Sequence, residues 1–307
     1  MKVSLIQNAD INARYCLPKN TGSYTRSTSF YGYTYRPKTT ISSYINPVKY
    51  YIDRVFTNSL AASRTRIMSV DKKIRPYTKE IPIGKSYGWD INKDDRQKYA
   101  LFLHGMGQNI SNVQILYREI LAHTDYAVLA PEYRSFGKNS PASLSKKTFK
   151  EDSDAAYKYL VKQKGIKPEN IAIIGHSFGS LVATQLTEKY QNVNQMILVS
   201  PLDSLTINSI GRNKGIKKRF PSFIMFLFEH LNFLKKTFSD IFDTNSHIKQ
   251  ISTSTSIIHS RNDNLSAYLS SKRLAEQCRN LNKLEILTSG GHQMEINKVN
   301  AIVSLLK

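Results

Sequence analysis

This 307-residue chain has two cysteines, one tryptophan, and no unbroken apolar run of membrane-spanning length. Cys16 and Cys278 have no metal-binding or redox motif around them. Nothing suggests a disulfide framework; a single Cys16–Cys278 pair is the alternative to the expected two free thiols in a reducing compartment. The opening MKVSLIQNADINARYC has no continuous apolar core of signal-peptide length. No stretch approaches the roughly 20 apolar residues that cross a bilayer. The expected location is cytoplasmic or peripheral on an inner membrane surface, or outside the cell by a route that cleaves no signal. Acidic residues are also scarce: 23 Asp/Glu stand against 44 Lys/Arg, a formal charge of +21. An excess of this size draws anionic partners and says nothing about fold.

The acid shortage is sharpest near the start, with no Asp or Glu between Ile11 and Ile52. Eight tyrosines fall there, among Gly, Ser, Thr, Asn and Pro. This composition favours loops and short strands over helix. Residues 1–85 are read as a basic, Tyr-rich N-terminal extension, and 86–307 as the main domain. The extension is expected either to pack on that domain or to meet acidic lipid headgroups. Nucleic acid is not favoured, because no recognised binding module accompanies the charge.

From about Arg96 the pattern becomes regular. Short apolar runs occur at Tyr99–Gly105, Tyr126–Tyr133, Ile171–Ser177, Met196–Pro201, Thr255–Ser260 and Leu284–Gly290. Helical patterns at Val113–Ala122, Lys150–Lys164, Ser180–Tyr190 and Ser266–Leu281 separate most of them. Strands alternating with helices predict an α/β fold, a mostly parallel sheet covered on both faces. Ligands of such sheets gather at the carboxyl ends of the strands. His104-Gly105, Ser177, Asp203, Asp263 and His292 all lie at or just past such ends.

Gly175-His176-Ser177-Phe178-Gly179 reads G-x-S-x-G between a strand and a helix. In that context the serine sits on a tight turn and its hydroxyl clears the sheet edge. A serine hydroxyl needs a base, and the base needs an orienting acid. His292 in SGGHQ and Asp263 in SRNDNL follow the last two strands and supply the order Ser, Asp, His. Asp203, in SPLDSL, is an alternative acid. The amides of Phe178 and of Met106, in HGMGQN, are the expected oxyanion donors. No metal or organic cofactor is required.

With these residues in place, the chain resembles the α/β-hydrolase superfamily, and within it serine hydrolases of the Bem46-like group, which includes acyl-protein thioesterase-like members. The resemblance rests on LFLHGMGQN, APEYRSFGKN, IAIIGHSFGS, SIIHSRNDNL and SGGHQ, and spans about Tyr99 to Met294. It departs where Met106 and Gln108 replace part of a more open glycine run, and where Ser260-Arg261-Asn262 opens the acid loop. It implies the α/β-hydrolase fold, with Ser177 as nucleophile, Asp263 as acid and His292 as base.

Residues 202–250 form a long excursion between strands, expected to be a helical cap. Arg212, Lys214, Lys217, Lys218 and Arg219 form a basic run that suits acidic headgroups. Phe220–Leu234 is apolar and aromatic, suited to burial or to an acyl chain. The expected function is hydrolysis of a carboxylic ester or acyl thioester, on a lipid or an acylated protein. The alternatives are a serine peptidase of the same fold, and a catalytically weak protein that binds membrane or nucleic acid through its basic N-terminal region.

Overall fold

The computed structural model describes residues 66–139, 146–203 and 243–307. Most of the extension and most of the expected cap, including the basic run 212–219 and the apolar segment 220–234, lie outside the described residues. Among the described residues no helix is long and apolar enough to cross a membrane.

Among the described residues the sheet has eight strands: β1 (Thr78–Ile83), β2 (Ser86–Ile91), β3 (Lys98–Leu103), β4 (Tyr126–Pro131), β5 (Ile171–His176), β6 (Gln195–Val199), β7 (Thr255–Ser260) and β8 (Leu281–Leu287). Their spatial order is β1-β2-β4-β3-β5-β6-β7-β8. The β1–β2 and β2–β4 pairs are antiparallel and all others parallel. The described α-helices are α1 (Gln114–His123), α2 (Lys146–Lys158), α3 (Phe178–Lys189), α4 (Thr244–Ile248), α5 (Tyr268–Gln277) and α6 (Ile296–Leu306), and a π-helical turn, Tyr159–Gln163, continues α2. This is the α/β-hydrolase fold.

Side chains of a strand alternate between faces, and here both faces are apolar. Leu101, Leu103, Ile171, Ile173, Met196, Leu198 and Ile257 point into one core, with Phe149 and Tyr157 of α2, Leu186 of α3 and Leu274 of α5. Ala100, Phe102, Ala172, Ile174, Ile197, Val199 and Ile258 point into the other, with Leu116 and Ile120 of α1 and Val299 and Ile302 of α6. The strands therefore read as continuous apolar runs, not as alternating ones. Phe102 is fully buried, and its truncation to alanine should cost about 3–5 kcal/mol, measurable as a lower denaturant midpoint.

The composition boundary at residue 85 falls in the turn between β1 and β2, so the sheet begins earlier than expected. The β1 sequence TKEIPI is short, charged and carries a proline, as suits an edge strand, and it does not stand out from its basic surroundings. Leu281–Leu287 begins three residues before the apolar run that predicted it, because its first residues are exposed on the opposite edge. Burial pushes the half-buried Cys278 thiol up to about 12.

Candidate active site

The turn from β5 into α3 carries Ser177. Its backbone lies at φ 53°, ψ −118°, a conformation non-glycine residues rarely adopt, and one that costs about 1–3 kcal/mol. The turn is held by Ser177 N–H donating to the Val199 carbonyl at 2.8 Å and by Ser180 N–H donating to the Ser177 carbonyl at 2.9 Å. Gly179 is required by close packing. A Cβ there would overlap the Leu103 carbonyl oxygen and stand 2.7 Å from that of His104. Gly179→Ala should lower stability by about 3 kcal/mol or more, because the obstacle is strand backbone. An unchanged denaturant midpoint would show that the gap between β3 and α3 can open.

Three residues distant in sequence converge on this turn. His292, in the loop between β8 and α6, places Nε2 2.7 Å from Ser177 Oγ. Its Nδ1 lies 2.8 Å from Asp263 Oδ2. Asp263 belongs to the loop after β7, and its side chain is fully buried. Its Oδ1 accepts the amides of Leu265 and Ser266, both at 2.9 Å. Its Oδ2 also accepts the Ser266 hydroxyl at 3.0 Å and lies 3.2 Å from His259 Nε2. Burial alone would raise its pKa. The hydrogen bonds from His259 and His292, with the histidine charge and the Ser266 amide, outweigh burial and hold the carboxyl well below the usual carboxylate range. Asp263 is thus a carboxylate at any ordinary pH.

Asp203, the alternative acid, is turned elsewhere. Its Oδ2 pairs with Arg273 of α5 at 2.6 Å, while its carbonyl receives the amides of Thr244 and Asn245 at the start of α4. The histidine therefore meets Asp263 and not Asp203.

On the other side of Ser177 lies the turn after β3. A Cβ on Gly105 would sit 3.2 Å from Ser177 Cβ, so this turn borders the serine closely. The Gly105 amide donates to Gln108 Oε1 at 3.0 Å, and Met106 is the next residue along. His104 anchors the turn from below. It is fully buried, 2.7 Å from Glu132 Oε1 and 2.9 Å from the Gly105 carbonyl. Phe178 buries its ring against Phe149, with centroids 4.8 Å apart, while its main chain opens α3 beside the serine. Of the two expected donor residues, Phe178 directly follows the serine in the chain and Met106 directly follows the glycine that borders it.

Sequence reasoning missed a supporting set. His259 holds Asp263 from behind, with its Nδ1 2.6 Å from Ser271 Oγ. His176 is buried next to the serine, its Nε2 2.9 Å from the His292 carbonyl and its Nδ1 3.0 Å from the Gln108 side-chain amide. Lys298 is fully buried on α6. The signals were weak: each is a single polar residue inside an apolar or helical pattern.

Known proteins resemble this chain both in sequence and in fold. Residues 94–228 match the family described as serine aminopeptidase, S33. The chain is 27% identical over 202 residues to alpha/beta hydrolase domain-containing protein 17B of Xenopus laevis, covering 65% of this chain and 62% of that one. It is thus matched to less than two thirds of that relative's length. It is 33% identical over 113 residues to a multifunctional-autoprocessing repeats-in-toxin protein of Vibrio cholerae, covering 36% of this chain and 2% of the toxin. Among solved structures, an alpha-beta hydrolase from Vibrio vulnificus matches with a TM-score of 0.61 at 21% identity, covering 83% of this chain and 92% of that one. A Pyrococcus furiosus esterase matches with a TM-score of 0.59 at 20% identity, covering 79% and 95%. At such identities the structural likeness speaks for the fold. Likeness along the sequence and likeness of the fold meet on one assignment: the chain belongs to the α/β-hydrolase superfamily.

Proposed function

We propose that the protein is a serine hydrolase that cleaves a carboxylic ester or acyl thioester through an acyl-enzyme. One observation carries the reading: hydrogen bonds run unbroken from Ser177 to His292 to Asp263. Superfamily membership supports hydrolase chemistry in general.

In this mechanism His292 Nε2 takes the Ser177 proton as Oγ attacks the substrate carbonyl carbon. Asp263 accepts from Nδ1–H, which leaves Nε2 as the basic nitrogen and stabilises the imidazolium. The negative charge on the former carbonyl oxygen is met by the amides of Phe178 and Met106, each such donor being worth about 10²–10³-fold in rate. Collapse breaks the bond to the leaving oxygen or sulfur, and His292 returns the proton to it. Water, deprotonated by the same imidazole, then attacks the acyl carbon and restores the serine. The apolar composition of residues 220–234 supports an apolar acyl part. The motifs named above support a place near the Bem46-like, acyl-protein thioesterase-like group.

A serine peptidase is the second reading, favoured by the description of the family that matches residues 94–228. It uses the same three residues and differs only in the bond broken.

Two experiments test the proposal. A fluorophosphonate probe should label the purified chain at Ser177, with labelling lost in Ser177→Ala. A panel of p-nitrophenyl esters, acyl-CoA thioesters and aminoacyl amides should show ester or thioester turnover well above amide turnover. Absence of labelling in folded protein would remove the enzyme reading. Preferential amide cleavage would replace the esterase with the peptidase.

A further inference from the structure

The loop that presents His292 has little of its own to hold it. Gly290 and Gly291 precede the histidine with φ of +118° and +48°, and glycine gives such a segment wide backbone freedom. What fixes it comes from other elements: Asn262 Oδ1, in the loop after β7, accepts the Gly291 amide at 3.0 Å, and two further elements hold the carbonyls. Lys298, in the first turn of α6, donates from Nζ to the Gly291 carbonyl at 2.6 Å and to the Gln293 carbonyl at 3.0 Å. His176, at the end of β5, places Nε2 2.9 Å from the carbonyl of His292 itself. Three consecutive carbonyls, centred on the histidine, are thus held by buried nitrogen atoms.

Lys298 has no exposed surface, and among the described residues it forms no ion pair. An ammonium buried against neutral carbonyls is unfavourable for folding, and an apolar side chain of similar length would fill the space at lower cost. Its position makes sense if the charge does something for the loop.

We propose that Lys298 is a positioning residue for the reaction, its buried ammonium clamping the peptide on both sides of His292 so that Nε2 stays aimed at Ser177. This rests on the roles of Ser177 and His292 given under Proposed function.

The charges around Lys298 give the clamp a pH dependence. Burial lowers its pKa to about 8, against the opposing pull of Asp263 in the loop after β7 and Glu295 at the head of α6. His176 on β5 stays neutral, since burial and then the neighbouring His292 lower it to about 3. From α1, Tyr117 shares the core with α6 and is neutral too, burial holding its phenol well above the ordinary value. Below about pH 8 the ammonium is charged and the clamp complete. Above it the proton is lost and the two hydrogen bonds weaken. The unfolded chain keeps its lysine proton up to about pH 10.4. Over that window the unfolded state binds more protons, so this group makes the fold more stable as pH rises. Activity and this stability contribution should therefore move in opposite directions.

The test compares the full-length wild type with Lys298→Met. The variant should keep full fluorophosphonate stoichiometry and a melting temperature at or above wild type at pH 7. Its kcat per labelled site should fall about 10- to 100-fold, the scale of a catalytic group displaced by a fraction of an ångström to one ångström, with KM within about twofold. The alkaline fall of wild-type activity near pH 8 should be missing in the variant. An unchanged kcat per site would overturn the proposal, as would a raised KM at constant kcat. If the variant does not fold, the wild type alone decides: activity falling through about pH 8 while the melting temperature holds or rises supports the clamp, and a parallel fall of both overturns it. Ring-nitrogen NMR of His292 gives a readout that needs no turnover, because loosening of the loop above pH 8 should move the Nε2 signal toward that of a solvated imidazole. A static signal overturns the clamp even if labelling fails, whereas failed labelling of the wild type removes the catalytic reading instead.

Discussion

Ser177→Ala is expected to lower kcat by about four to six orders of magnitude, with KM close to wild type. The size follows from the loss of the attacking atom. The other parts of the site then act on water alone and retain about 10³–10⁴-fold over the uncatalysed reaction. The variant should fold, because Ser177 Oγ bonds only His292 among the described residues, and the bonds that hold the turn run through the main chain. The strained φ of 53° stays with the alanine, so its cost is common to both proteins. Single-turnover kinetics on a p-nitrophenyl ester, with melting curves in parallel, give the answer. Activity within about tenfold of wild type would mean that another group attacks the substrate.

Asp263→Asn should lower kcat by about 10⁴-fold, the loss expected when the imidazole is left in the wrong tautomer. Asp263 Oδ2 lies within reach of His292, the Ser266 hydroxyl and His259, while Oδ1 faces two backbone amides. All of these partners bring hydrogens. Asparagine supplies one acceptor and one donor, so either way round its NH₂ meets N–H groups. The cheapest escape is for His292 to move its proton to Nε2, and it then cannot take one from Ser177. Buried unpaired donors also destabilise the fold, by about 1–3 kcal/mol each. Because the native carboxyl is held low, Asp263 contributes stability above the ordinary carboxylate range and loses it as pH falls through the native value. The wild type should therefore lose part of its advantage over the variant in acid, which denaturation at pH 7 and pH 3 would measure. Asp203→Asn is the control. Its carboxylate meets Arg273, and kcat should stay within about threefold. A larger loss in this control than in Asp263→Asn would reverse the two assignments.

What the sequence made legible follows the strength of each pattern. The parallel strands are buried on both faces, so Tyr99–Leu103 or Ile171–Ile174 appears as a short continuous apolar block. The turn at Gly175–Gly179 was readable because its glycines answer to steric need. Ser177, Asp263 and His292, which the structure brings within hydrogen-bonding distance of one another, were read from their order and their places after strands. The antiparallel pair β1 and β2 was missed, since TKEIPI pays for its edge position in charge and proline, which look like loop. The supporting shell was missed for a different reason. Lys298 lies within the helical sequence INKVNAIVSLL, where a lysine ordinarily reaches solvent. Only the fold shows it turned inward toward two carbonyls.

The sequence separation of 115 between Ser177 and His292 has a bearing on biogenesis. A growing polypeptide can complete β5 and bend its serine into place long before the imidazole has been translated. The helix α6, which carries Lys298, can dock beside α1, its neighbour in the second core, only after the imidazole has been translated. A frameshift or proteolytic nick that removes the segment from Ile296 onward would leave the strands in the chain while removing the lysine that holds the carbonyls on either side of His292.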